Sequence, residues 1–182
     1  LAAGLAEVVK CGFIADKQIL ELLVNKSLSN LTSDFVLMLE LIHRAVAVKA
    51  KVVSEDFKES FLREILNYGH TLGHAIEKHS NYSLRHGEAV AIGMCFVAEL
   101  AKEKLSLSED SVQLHYKILD ALKLPTKYRL DAWPELQRFM QQDKKNRAGD
   151  LRFVALQDIN NCVRIEAPSN DELERAYARI AQ

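Results

Sequence analysis

The chain has 182 residues, 48% of them hydrophobic and 27% charged, and its formal net charge is -1 with both signs interspersed. This is the composition of one globular domain large enough to bury a core. It offers no basic field for a nucleic-acid backbone or anionic lipid, and runs such as Ala89 to Cys95 are far shorter than a membrane span, so a cytoplasmic protein is expected.

Leu1, not Met, opens a stretch to Lys10 that reads as the middle of a helix, so the chain is expected to be a piece of a longer protein. The prolines stand at Pro125, Pro134 and Pro168, and nothing before them forbids long helices. Helical periodicity recurs over 5–10, 17–25, 33–53, 57–79, 87–105 and 109–122, with turn residues such as Ser27 to Asn30 between some of these. A short helix is predicted around Trp133 to Gln142, then a polar loop from Asp143 to Gly149. Leu151 to Leu156 and Cys162 to Ala167 are β-favouring runs on either side of an expected hairpin turn. Ser169 and Glu172 have capping-box spacing for a last helix. The expected fold is therefore mainly α, a multi-helix bundle with a small C-terminal β-hairpin, in one domain over 1–182. Cys11, Cys95 and Cys162 form no CxxC pair and are expected as free, buried thiols. His43, His79 and His115 are expected at the surface or partly buried with partners, and Glu99, Glu103 and the charges of 170–179 on exposed faces.

The segment from Phe61 to Glu77 carries the chemistry. On a helix turning about 100° per residue, Arg63, Asn67, His70 and His74 fall within roughly 60° of arc, opposite Ile65, Leu66, Tyr68, Leu72 and Ile76. Glu59 and Glu77 extend the row. A row of Lys and Glu would be a solvated face; imidazole, amide and guanidinium groups together are better suited to holding a ligand. Gly69 and Gly73, each costing a helix about 1 kcal/mol against Ala, suggest close packing beside that row. By spacing alone, His70 and His74 at i, i+4 form the metal pair, but the Glu that would follow the first His in a zinc protease is Thr71 here. His86, at the start of an apolar helix, reads equally as a ligand or a turn residue.

Three motifs, Gly4-Leu-Ala-Glu-Val-Val-Lys10, Leu66-Asn-Tyr-Gly-His-Thr-Leu-Gly-His-Ala-Ile-Glu77 and His86-Gly-Glu-Ala-Val-Ala-Ile-Gly-Met94, resemble in order and spacing the C-terminal domain of 3-dehydroquinate synthases, and Asp143-Lys-Lys145 before Leu151 is similar to that family's late loop. The resemblance implies a divalent metal, zinc or cobalt, on Glu7, His70 and His86, which would make His74 a proton-moving group near the substrate, not a ligand. It implies further that Lys49, Arg63 and Asn67 grip a substrate carboxylate, that Lys10 meets substrate near the metal, that Lys144 or Lys145 contacts phosphate, and that Glu59 orients this cluster. The family's reaction turns 3-deoxy-D-arabino-heptulosonate 7-phosphate into 3-dehydroquinate and phosphate, with NAD used catalytically. No glycine-rich nucleotide motif occurs here, so the family's N-terminal NAD-binding domain is expected to be missing, this piece alone to be inactive, and the full-length enzyme to be a homodimer. Taken singly, Lys49 and Arg63 would read as surface ion pairs and Lys10 as a solvated partner of Glu7.

Overall fold

The computed structural model describes residues 1–55, 63–146 and 151–182, with the side chains of 143–146 excepted. The expectations for Glu59, Lys144 and Lys145 therefore fall outside the described residues.

Among these residues the chain runs through helices Ala2–Ile14 (α1), Lys17–Leu23 (α2), Leu28–Ser33 (α3) and Phe35–Glu55 (α4), then a 3-10 turn at Ile65–Asn67. It continues through His70–His79 (α5), His86–Leu105 (α6), Glu109–Ala121 (α7), Trp133–Asn146 (α8), an antiparallel hairpin of Arg152–Asp158 (β1) and Asn161–Glu166 (β2), and Asn170–Ile180 (α9). The mainly helical fold with a small late hairpin is the one expected. No described helix is long and apolar enough to cross a membrane.

Helix α6 is the axle. Its residues from Ala89 to Ala101 are all buried, as a helix apolar on every side must be, and α1, α5, α7, α9 and β1 pack around it. Glycines and alanines along it let neighbours approach closely: a Cβ on Gly93 would lie 1.9 Å from the carbonyl oxygen of Gly69. The hairpin is tied to the other end of the bundle through Asn160, a left-handed turn residue. Its side-chain amide donates to the carbonyls of Gly12 and Phe13 at 2.7 and 3.0 Å, satisfying the end of α1, and its Oδ1 accepts from the Lys17 amide at the start of α2.

Five local expectations need correction. The helix expected over 57–79 is broken before His70: Gly69 has φ +77°, and its position against Val90 and Met94 leaves no room for a side chain, so the chain turns and restarts. The 60° row calculated for a continuous helix therefore does not hold. Ser27 to Asn30 is the capped start of α3, where the Ser27 hydroxyl accepts from the Asn30 amide. Helix α8 continues through Asn146, four residues beyond the expected end and into the expected loop. Glu99 is buried at 7% exposure because α7 and α9 cover that end of α6; one oxygen accepts from Tyr116 and the other lies 3.7 Å from Arg179.

The fifth is His115, which is fully buried. Its ring stacks on Phe13 at 3.6 Å between centroids, Nδ1–H donates to the Ser111 carbonyl at 2.7 Å, and Nε2 accepts from the Tyr68 hydroxyl at 2.8 Å. His43 and His79 conform, the first exposed and the second partly buried against the Tyr128 hydroxyl. The three cysteines are free; Cys11 and Cys95 are buried and Cys162 partly so.

Burial holds the His115 imidazole neutral, down to about 4 against an ordinary value near 6.5, although its bond to Ser111 opposes this. Between those values the unfolded chain takes up a proton that the folded chain refuses, so stability is full above about pH 6.5 and falls as pH drops toward 4, by on the order of 3 kcal/mol. Urea unfolding of metal-free protein at pH 7 and pH 4.5 is expected to show this loss, and His115→Gln to shrink the difference between the two pH values. An undiminished difference in the variant would assign the acid loss to other groups.

Candidate metal centre

Five side chains from four helices converge at one end of α6. Glu7 and Lys10 stand one turn apart on α1, Lys49 reaches in from α4, and His70 and His86 are the first residues of α5 and α6. A residue in the first turn leans back past the end of its own helix, which is how both imidazoles clear their helix bodies. Helix α6 is fixed there by Glu88, whose carboxylate accepts from the Arg85 amide at 2.8 Å. The Glu of the His-Gly-Glu motif is thus a cap.

The carboxylate of Glu7 divides its work. Oε2 accepts from Lys10 Nζ at 3.0 Å and Lys49 Nζ at 2.9 Å, while Oε1 lies 3.7 Å from His70 Nε2 and 3.8 Å from His86 Nε2. Lys10 also touches Oε1 at 3.2 Å. Lys10 is 2% exposed, so it is no solvated surface partner. Burial works to raise the Glu7 carboxyl, but the two ammonium groups overcome it and hold the group down to about 2.

Each imidazole turns its other nitrogen to an acceptor. His70 Nδ1 is 3.0 Å from the Tyr68 carbonyl, and His86 Nδ1 is 3.2 Å from Glu77 Oε2. The Tyr68 carbonyl and the Glu77 carboxylate accept, so each Nδ1 carries the hydrogen, and each Nε2 is the nitrogen turned toward Glu7. Burial, reinforced by the charge of Lys10, brings His70 down to about 4, so it is neutral at pH 7. A neutral imidazole with a free Nε2 is the form that binds metal.

These donors fit a divalent ion. Ligands about 2.0–2.1 Å from a tetrahedral zinc stand roughly 3.3 Å apart, and one carboxylate with two imidazoles is a set that leaves a coordination position open. Glu7, His70 and His86 present one atom each within 4.8 Å of one another. The i, i+4 pair suggested by spacing is not how the cluster forms. His74 is exposed, its ring 5.4 Å from His70 and 6.1 Å from His86, and it belongs to a different group of donors with Glu77 and His86. Arg63 and Asn67 are exposed on the segment leading to the break, which Glu64 anchors by accepting from Arg164 of β2. Two participants were missed from sequence. The Tyr68 carbonyl gives no signal in a sequence, and Glu77 was legible only as the end of a polar row.

The approach that brings Glu7 to His86 is made by Gly87. A Cβ there would lie 1.8 Å from the Ala3 carbonyl oxygen, so α1 crosses the start of α6 in backbone contact.

The same fold makes up half of each of two solved synthases. Over 98% of the chain it superposes, with a TM-score of 0.85 and 23% identity, on half of ValA, the 2-epi-5-epi-valiolone synthase from Streptomyces hygroscopicus subsp. jinggangensis 5008, whose structure has NAD+ and Zn2+ bound. It superposes with a TM-score of 0.75 and 26% identity on 51% of a 2-deoxy-scyllo-inosose synthase complexed with carbaglucose-6-phosphate, NAD+ and Co2+. Residues 4–146 match the 3-dehydroquinate synthase C-terminal family, and the chain belongs to that family. It is 54% identical over 181 residues to the 3-dehydroquinate synthase of Corynebacterium diphtheriae and 53% identical over 182 residues to that of Pseudarthrobacter chlorophenolicus, spanning 50% of the length of each.

Replacing Gly87 with Ala must push α1 from α6. Overpacking of this kind costs typically about 1–3 kcal/mol. Gly87→Ala is expected to lower the melting temperature and to weaken zinc binding at least about tenfold, as ligands separate. Calorimetric titration at wild-type affinity would show that the close approach does not set the cluster.

Proposed function

We propose that this chain is the metal- and substrate-binding half of a 3-dehydroquinate synthase, a carbon-oxygen lyase that converts 3-deoxy-D-arabino-heptulosonate 7-phosphate to 3-dehydroquinate and phosphate in the cytoplasmic shikimate pathway to the aromatic amino acids. The observation that carries the proposal is the convergence of Glu7, His70 and His86 on one point beside Lys10 and Lys49, in a chain of this family. Other cyclases of the same fold stand at 22–26% identity, whereas the synthases stand at 48–54%, which favours the synthase over making an inosose or valiolone product.

Zinc or cobalt held by Glu7, His70 and His86 would supply Lewis-acid polarisation of a substrate hydroxyl. Catalytic NAD, carried by the part of the relatives that this chain does not span, would supply a reversible hydride acceptor. The chain's own residues do the positioning. Lys10 and Lys49 stand against Glu7 and Glu77, so a bound dication would give the cluster an excess of positive charge, which suits an anionic ligand. Lys10 meets substrate at the metal, and Lys49, with Arg63 and Asn67 on the neighbouring segment, holds a carboxylate in one geometry. Lys144 or Lys145 contacts the phosphate, and Glu59 orients the cationic groups. His74, exposed at the rim of the cluster and outside the ligand set, takes or returns a proton at the substrate hydroxyls. In the full-length enzyme, proposed to be a homodimer, the other half completes the site, and this chain alone is inactive.

Two measurements test this. Glu7→Gln, His70→Ala and His86→Ala are each expected to abolish stoichiometric zinc, whereas His74→Ala keeps it; equal loss in all four variants would refute the ligand set. A chimera joining this chain to the amino-terminal half of the C. diphtheriae synthase is expected to release phosphate from the heptulosonate 7-phosphate only with NAD present, and His74→Ala in it to lower kcat by about 10²–10⁴-fold, the usual range for a positioned acid–base group. A metal-loaded chimera that binds substrate without releasing phosphate would exclude the synthase.

A further inference from the structure

The imidazole of His86 has a nitrogen on each side of its ring, and the two sides face different groups. Nε2 lies 3.8 Å from Glu7 Oε1, on the side of the candidate metal cluster, while Nδ1 lies 3.2 Å from Glu77 Oε2. Beside that second nitrogen stands another set of ligand atoms. His74 and Glu77 are three residues apart on α5, so their side chains leave the same face of the helix one turn apart. With His86 from the first turn of α6 they offer one ligand atom each, all within 4.8 Å of one another, the same closeness that Glu7, His70 and His86 reach. One carboxylate and two imidazoles from two packed helices suit zinc or a similar divalent ion.

A carboxylate behind a metal-bound imidazole commonly serves only to orient it. That role needs an acceptor and no further ligand atom, yet here His74 supplies one, its ring 6.1 Å from that of His86. His74 is exposed and the His86 side chain is 46% exposed, so an ion can reach both from solvent. We infer that His74, Glu77 and His86 form a second divalent-cation site, filled only when metal is in excess, in which His86 bridges two ions through its two nitrogens. The second ion takes the place of the hydrogen on Nδ1, which passes to solvent. With metal–nitrogen bonds of about 2.0–2.1 Å the two ions stand roughly 6 Å apart across the ring, where the repulsion of two dications weakens the second by about a hundredfold even in water. The second ion is therefore lost on dialysis, and zinc retained afterwards reports Glu7, His70 and His86 alone. The consequence for turnover rests on the proposed function: an ion on His74 occupies the lone pair that takes a proton from substrate, so this site is a brake that acts at high metal.

Equilibrium dialysis against excess zinc tests the site in the chain as it stands. Wild type is expected to bind two ions, and His74→Ala and Glu77→Gln one each, the retained tight ion showing that the fold is intact. A single ion in wild type would overturn the inference, and so would two ions in both variants, which would put the weak ion elsewhere. Cobalt gives a measurement without substitutions. At two Co2+ per chain, magnetic coupling across the shared ring is expected to reduce the electron paramagnetic resonance signal per ion, and an unreduced signal would exclude a bridging His86. In the chimera, phosphate release is expected to fall at least about tenfold as the second zinc binds, and undiminished release with two ions bound would remove the brake. Two bound ions with no release even at one zinc per chain sink the proposed reaction and leave the second site standing; turnover that persists in excess zinc with one ion bound does the reverse.

Discussion

An ammonium group almost sealed from water has to be matched by a carboxylate, and Lys10 with Glu7 is that match. Leaving either charge buried alone would cost several kcal/mol, so the pair is obligatory wherever this face of α1 is covered. Lys49 then takes the same oxygen, Oε2, which leaves Oε1 as the one pointing toward the two imidazoles. Much of the site's chemistry follows from this division. The carboxylate remains ionised far below neutral pH, the neighbouring His70 is held neutral by burial and by the same lysine charge, and two ammonium groups stand beside the donors. A site poised in this way accepts a dication through its lone pairs and an anion through its field.

The precision of the cluster comes from α6. A helix built of small apolar residues can be approached to backbone contact from several directions, and two of those contacts set the ligands: Gly87 against Ala3 brings α1 and its Glu7 to His86, and Gly93 against Gly69 brings the turn before α5 and its His70. Both imidazoles stand at helix starts, that of His86 fixed by the Glu88 cap, and both have acceptors behind them, the Tyr68 carbonyl and Glu77. The Tyr68 side chain extends the same support inward, through its hydroxyl bond to the buried His115 stacked on Phe13 of α1. Core packing and site geometry are here the same set of contacts.

Helix α4 carries apolar residues on two faces. A helix that buries one apolar row and exposes another satisfies a core on one side only, and the exposed row borders the lysine that reaches Glu7.

Several things were determined by the sequence alone. Periodicity located most of the helices, the capping box at Ser169 marked the start of α9, two β-favouring runs across a turn marked the hairpin, and the resemblance of three motifs pointed to the family and implied its candidate ligands. These signals are local, because a helix or strand repeats within a few residues. The tertiary structure decided the rest. It broke the expected long helix at Gly69, because the chain there lies against α6 with no space for a side chain, and it buried His115 and Glu99, which no local pattern distinguishes from surface residues. It also put His70 beside Glu7 and His86, with His74, its neighbour by spacing, at the rim. Periodicity gives the direction in which a side chain leaves its helix, but whether two helices come close enough for their side chains to meet depends on contacts between residues far apart in the chain, such as Gly87 with Ala3.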